Sequence, residues 1–197
     1  MTRPLAVIGL TAALALAGCG AATDTPGTAQ SAVGSSTATA GTSAADHSAA
    51  DVMFSAMMIP HHQQAVEMAD LVPTRTTNAD VLALAAGIKA AQQPEIDQMQ
   101  GYLDGWGEEA SDAAAHAGHG GMEGMMSDDD LTALAGLKDA AFDKEWLTMM
   151  IAHHEGAVTM AQDVQKNGSH AATATLAAAI IEVQRREIDQ MKAMLAG

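Results

Sequence analysis

From residue 51 onward, apolar side chains return every three or four positions, the spacing of a helix with one buried face. Phe54, Met58, His61, Ala65, Ala69 and Val72 fall on one side of a helix turning about 100° per residue, with His62 on the flank of that stripe. Ile88, Gln92, Glu95, Met99 and Tyr102 form a second stripe, and Ile180, Gln184, Glu187, Met191 and Leu195 form another like it. Turn chemistry interrupts the pattern near Pro73-Thr74 and again near Asn167-Gly168, so each half of the region reads as two helices joined by a short turn. Four such helices predict a helical bundle. Asp128-Asp129-Asp130 ahead of Leu131 has the character of a helix start, which predicts a short additional helix before the second half.

The two halves are copies of each other. Asp51 through Ala69 aligns with Asp143 through Ala161 at a shift of 92 residues, with ten of nineteen positions identical. At the same shift Ile88 to Leu103 aligns with Ile180 to Leu195, eight of sixteen identical, and no gap separates the blocks. The paired residues include Gln92 with Gln184, Glu95 with Glu187 and Met99 with Met191.

Composition adds a location and removes one class of partner. Residues 1–18 carry Arg3 and then an apolar run from Leu5 to Ala17, too short to span a bilayer, ending in Leu16-Ala17-Gly18-Cys19. That ending resembles the lipobox of bacterial lipoproteins. It implies export, cleavage before Cys19 and a lipid anchor on its thiol at the outer face of a bacterial membrane. Cys19 is the single cysteine, so any metal chemistry must proceed without thiolates. Residues 19–50 are Ala, Thr, Ser and Gly with little to bury, the composition of a tether, in which His47 is expected to be solvated. The remaining chain divides into a first hairpin unit at 51–107, a Met/His-rich loop at 108–127 and a second hairpin unit at 128–197. A net charge of -15 with 3% aromatic residues argues against a nucleic-acid partner on both electrostatic and stacking grounds.

Each copy of the repeat holds Met-Met-Ile-x-His-His. On a helix, Met57, His61 and Met68 return to one side, and Met58 and His62 form a four-residue pair. Met149, Met150, His153, His154 and Met160 are the counterparts. Glu95 and Glu187, beside Met99 and Met191, put a carboxylate on the apolar side of each partner helix. Imidazoles and carboxylates on a buried face are costly unless paired or bound to metal. Two readings follow: a His–Glu hydrogen-bond pair inside a core filled with Met, or a metal site. Thioethers with imidazoles favour copper, above all Cu(I), with Glu95 and Glu187 orienting the imidazoles or ligating directly. Between the units, His116, His119, Met122, Met125 and Met126 sit in a Gly-rich acidic stretch, either a solvated linker or a loose metal-collecting loop. His170 reads as a polar residue at a turn.

Other chemistries lack their residues. His154-Glu155 would need a histidine at 158 to make a zinc-protease helix, and that position is Val158. The Gly-rich stretch at 118–121 has no lysine for a phosphate loop, and no serine or cysteine nucleophile has a convincing base.

Phe142-Asp143-x-x-Trp146-Leu147-x-x-Met150-Ile151-x-His153-His154-x-Gly156-Ala157-Val158-x-Met160-Ala161 resembles the signature of the bacterial domain-of-unknown-function 305 family. Gln184-x-x-Glu187-Ile188-x-x-Met191 resembles its second helix, and the likeness extends from Asp51 to Leu195. It implies a ferritin-like four-helix bundle, and for some exported members copper binding, at the positions of His61, His62, His153, His154 and their Met neighbours. The first unit departs from the pattern with Gln64 in place of Gly156, and with Pro60 and Pro94 inside its helices. Ferritin-like di-iron bundles use Glu-x-x-His; here the spacing is Met58-x-x-His61 and Met150-x-x-His153, which shifts the expectation from iron oxidation toward copper. The function expected is a lipid-anchored copper-binding protein for buffering, resistance or transfer. A metal-dependent oxidase, or a structural or signalling lipoprotein with His–Glu core pairs, are the alternatives.

Overall fold

The structure, a computed structural model, describes residues 46–109 and 122–197, and all the regular structure within them is helical. The five helices are α1 (Ala49–Arg75), α2 (Ala79–Trp106), α3 (Asp128–Gly136), α4 (Asp139–Asn167) and α5 (Ala171–Ala196). The lipobox with Cys19, the tether up to residue 45, and His116 and His119 of the loop lie outside the described residues. No helix among the described residues is long and apolar enough to cross a membrane.

Side chains before each helix explain most of the starts. Ser48 and Asp51 form a capping box at α1, and Ser127 with Asp130 form another at α3, where the acidic triplet predicted a helix. Asn78 caps α2 through the Asp80 amide, and the His170 ring accepts from the Thr173 amide at α5. At the other end of α2, Gly107 takes a left-handed φ of 74°, which closes the helix at little steric cost.

Pro60 and Pro94 do not act as breaks. Helix α1 runs through Pro60, and its last turn contains Pro73 before it ends at Arg75, beside the break expected near Pro73-Thr74. Helix α2 likewise runs through Pro94. Each proline withholds one amide, from the carbonyls of Ala56, Ala69 and Ala90, while packing on both sides holds the helix together. In the second unit α4 ends at Asn167 with Gly168 as its cap, as the turn residues imply.

Helix α1 packs on α2, α4 on α5, and α1 on α4. The last pair is antiparallel: the Trp146 indole donates to the Met68 carbonyl at 2.9 Å, while His61 and His153 stand face to face one to two turns further along. The predicted stripe on α1 is buried throughout, from Phe54 to Val72.

Two apolar clusters fill the bundle. One gathers Phe54, Met58, Ile96, Met99, Leu103, Ala161 and Ile180; the other gathers Met68, Val72, Ile88, Phe142, Trp146, Met150 and Met191. The 92-residue shift carries the first cluster onto the second. Phe54 becomes Trp146, Met58 becomes Met150, Met99 becomes Met191, and Ile180 becomes Ile88. The repeat therefore acts in space as an approximate twofold relation, with the histidines at its centre. Helix α3 breaks the symmetry, burying Leu134 completely against the second cluster alone.

Candidate metal centre

A polar layer separates the two clusters. Helix α1 contributes His61 and His62, α4 contributes His153 and His154, and all four imidazoles are fully buried. Helices α2 and α5 contribute Gln92 with Glu95 and Gln184 with Glu187. The glutamines are buried and the carboxylates reach the edge of the bundle, 17% and 15% exposed.

Hydrogen bonding fixes the state of three rings. His62 Nε2 lies 2.8 Å from Glu95 Oε2, and His154 Nε2 lies 2.8 Å from Glu187 Oε2, the same bond in both repeats. An ionised carboxylate only accepts, so Nε2 carries the hydrogen in each. The other ring nitrogen, Nδ1, is turned away from each carboxylate. His61 Nε2 donates to the Glu123 carbonyl at 3.3 Å, which leaves its lone pair on Nδ1. The Nδ1 atoms of His61, His62 and His154 are buried with no hydrogen-bond partner. Neither nitrogen of His153 meets hydrogen-bond geometry, and the amide ends of Gln92 and Gln184 are equally unmatched.

The inner pair is closely coupled. The rings of His61 and His153 have centroids 3.8 Å apart at an angle of 40°. Burial, then the charge His62 would carry, pushes the His61 pKa down to about 3, against a weaker opposing pull from the Glu123 carbonyl. Burial and the neighbouring His61 hold His153 well below the ordinary imidazole range. Both rings are neutral at any physiological pH. The layer thus presents neutral nitrogen lone pairs in a water-poor interior. Among the described residues no group of three or more His, Cys, Asp or Glu is gathered to hold a metal ion. Such a donor set suits a soft ion satisfied by few neutral ligands better than a hard, highly coordinated one.

The model of the domain-of-unknown-function 305 (DUF305) family matches residues 51–195, both repeats and the whole of this layer. The chain belongs to the DUF305 family. A DUF305 protein of Streptomyces coelicolor, presumed to be secreted, is 32% identical, with 75% of this chain and 92% of that one aligned at a TM-score of 0.67. A DUF305 fragment from Deinococcus radiodurans is 29% identical over 75% and 95%, with a TM-score of 0.66. CopM in its Cu(II)-bound form is 34% identical over 74% and 95%, with a TM-score of 0.64. CopM has also been solved with Cu(I) and with silver. None of the curated proteins matches the sequence.

In this DUF305 chain the methionines part company. Met58 and Met99 belong to the first apolar cluster, and Met68, Met149, Met150 and Met191 to the second. Met57 and Met160 are half-buried and line an open groove. Met57, His61 and Met68 are therefore not one gathered set: Met57 and Met68 lie on opposite sides of the histidine layer. Of the loop, Met122, Met125 and Met126 are half-buried, and Met126 packs against the second cluster. His170, besides capping α5, stands edge-on to Tyr102 and Trp106. His47 stacks on Trp106 at 4.5 Å rather than standing free in solvent, because Trp106 offers a flat apolar face at the end of α2.

Two features of the site escape simple pattern reading. Glu123 acts through its backbone carbonyl, which no side-chain motif announces. Gln64 and Gly156 had shown only as a mismatch between repeats. In space Gln64 holds the backbone of Met126, donating to its carbonyl and accepting from its amide, each at 2.8 Å. Gly156 leaves room for the same segment, since a Cβ there would collide with the Glu123 carbonyl. Gly124, at φ 83°, would set a Cβ 2.6 Å from the Ala152 carbonyl, so glycine is needed on both sides of this crossing.

Proposed function

We propose that this protein binds Cu(I) inside its helical bundle, at His61 with His62 and His153 with His154, as an exported copper buffer or carrier tethered by a lipid on Cys19. The observation that carries the reading is the row of four buried imidazoles, the inner two neutral, whose Nδ1 atoms have no hydrogen-bond partner. An unpartnered lone pair in a dry interior loses the water it would bind outside, and a soft cation compensates it without adding a buried anion. Glu95 and Glu187 orient His62 and His154 by holding their Nε2 hydrogens, and so point Nδ1 away from the carboxylates. Met58 and Met150, fully buried one turn before His62 and His154, offer thioethers as additional ligands. The copper-bound forms of CopM support the choice of metal, and the presumed secretion of the Streptomyces coelicolor protein supports export.

A structural role for the His–Glu pairs is the competing reading, favoured by the two matching 2.8 Å bonds. Enzymatic iron oxidation has less support, because Met58 and Met150 stand where a di-iron bundle places carboxylates.

Cu(I) competition titration with His61→Ala combined with His153→Ala separates the readings. Loss of at least tenfold in affinity, about 1.4 kcal/mol, with little change in apo stability marks ligands. Unchanged affinity with a drop of several kcal/mol in apo stability marks a structural layer.

A further inference from the structure

At the end of the bundle where α1 begins, Met53, Met57 and Met160 line one open groove of about 470 Å³, with Asp163 beside them. Met53 and Met57 are successive turns of α1, and Met160 faces them from α4, so both repeats supply a wall. The repeat itself shows what such a place looks like when it serves packing alone. The counterparts of Met57 and Met160 are Met149 and Met68, which are buried in the second cluster, the one that also takes in Leu134 of α3. Gap-filling accounts for Met68 and Met149. It does not account for Met57, which is half-buried on an open groove, and accounts for only one side of Met160, which leans on the first cluster and lines the same groove. Met53 stands where the other end has Glu145, so the open end holds a third sulfur in place of a carboxylate.

The groove also leads somewhere. Met57 is one helical turn before His61 on the same side of α1. The segment that crosses the histidine layer pairs with Gln64 at Met126 and with His61 at Glu123, and so runs along α1 toward this end, with Met122 next in line.

We propose that Met53, Met57 and Met160 form a surface site for a soft monovalent cation, Cu(I) or its analogue Ag(I), distinct from the buried histidines and feeding them. Thioethers are neutral, hold Cu(I) and Ag(I) in preference to Zn(II) or Mg(II), and release them more readily than thiolates. An ion held there exchanges to imidazole nitrogen by moving one turn inward. The feeding role rests on the histidine reading above; the site itself does not.

Ag(I), which undergoes no redox change, is the probe, added to the full chain carrying 13C-labelled methionine methyl groups. One variant replaces the groove (Met53→Leu, Met57→Leu, Met160→Leu), a swap that keeps volume and apolarity. The other replaces the core pair (His61→Ala, His153→Ala). Ag(I) should shift the methyl resonances of Met53, Met57 and Met160 in the wild type and in the core variant. The groove variant should take up one fewer Ag(I) and load its remaining site at least tenfold more slowly. Unmoved methyl resonances, wild-type stoichiometry and loading in the groove variant, or loss of the methyl shifts in the core variant would each overturn the proposal. A core variant that loads as many ions as the wild type while the methyl shifts persist counts against the histidine site and leaves the groove standing.

Discussion

Gln64 and Gly156 are equivalent positions of the two repeats, and they act on one stretch of backbone in opposite ways. Gln64 grips Met126 with both ends of its amide, and Gly156 withholds a side chain so that Glu123 and Gly124 can lie against α4. The segment fixed in this way carries the carbonyl that sets the tautomer of His61.

Gly156→Ala should therefore displace the segment, because the new Cβ meets backbone rather than a flexible side chain. A loss of about 1–3 kcal/mol in denaturant-measured stability is expected. Gln64→Leu should cost about 1–2 kcal/mol, two hydrogen bonds of about 1 kcal/mol each. In both variants amide hydrogen exchange across residues 122–127 should accelerate while that of α2 and α5 stays close to wild type. Unchanged exchange in that segment would show that neither residue anchors it.

The bond from His154 to Glu187 should be visible as a protonation pattern. Long-range nitrogen–proton NMR should find a hydrogen on Nε2 of His61, His62 and His154 in the apo protein. Glu187→Leu leaves the His154 N–H without an acceptor and should cost about 1–3 kcal/mol, whereas Glu187→Gln, which keeps an oxygen in reach, should cost less. A predominance of rings with hydrogen on Nδ1 alone would contradict the assignment.

Acid should weaken the fold through the inner histidines. The His61 pKa is about 3 in the folded protein and near 6.5 in an unfolded chain. Between these values the unfolded state binds the proton and the folded state does not, so stability rises with pH. The contribution is complete above about pH 6.5 and is lost as pH falls toward 3, at up to about 1.4 kcal/mol per pH unit for each such histidine. His153 is shifted in the same direction and adds to the slope. Asp51 acts only at lower pH. Burial would raise its pKa, but hydrogen bonds from Ser169, Ser48 and His170 outweigh that and bring it below the ordinary carboxylate value. Urea titrations at pH 7, 5.5 and 4.5 should show the loss, and His61→Ala with His153→Ala should flatten it. Proton competition for Cu(I) at these two rings should likewise begin well below the pH of about 6 expected of ordinary imidazole.

Cys19→Ser should abolish lipid attachment and release the protein from the membrane fraction, since no helix among the described residues could hold it there. Labelling with a fatty acid followed by fractionation checks this, and membrane association that persists without label would exclude the anchor.

Much of this fold was legible in the chain because it is written twice. The stripe from Phe54 to Val72 is buried as its spacing demands, and the acidic triplet at Asp128 does open a helix. The break expected near Pro73-Thr74 falls there too, with α1 ending at Arg75. Periodicity placed His61 and His62 on or beside the buried face, and burial of all four imidazoles follows. Angular periodicity grouped Met57 with Met68, yet a helix rise of about 1.5 Å per residue sets them about 16 Å apart along α1, on opposite sides of His61. It could not reveal Glu123, whose contribution is a carbonyl. The mismatch of Gln64 with Gly156 was readable as a departure, while its meaning required the third partner that passes between them.

The twofold relation between the repeats also bears on how such a layer could arise. One hairpin holds two histidines, a glutamine and a glutamate, and makes its own His–Glu bond. Two identical half-length chains, each with its His–Glu bond, would form the central ring pair by meeting through their His helices as an isologous dimer. Within a single chain the two copies are free to differ. Only then can one copy hold a glycine and the other a glutamine, so that a single connecting segment crosses the axis and gives His61 a neighbour that His153 lacks.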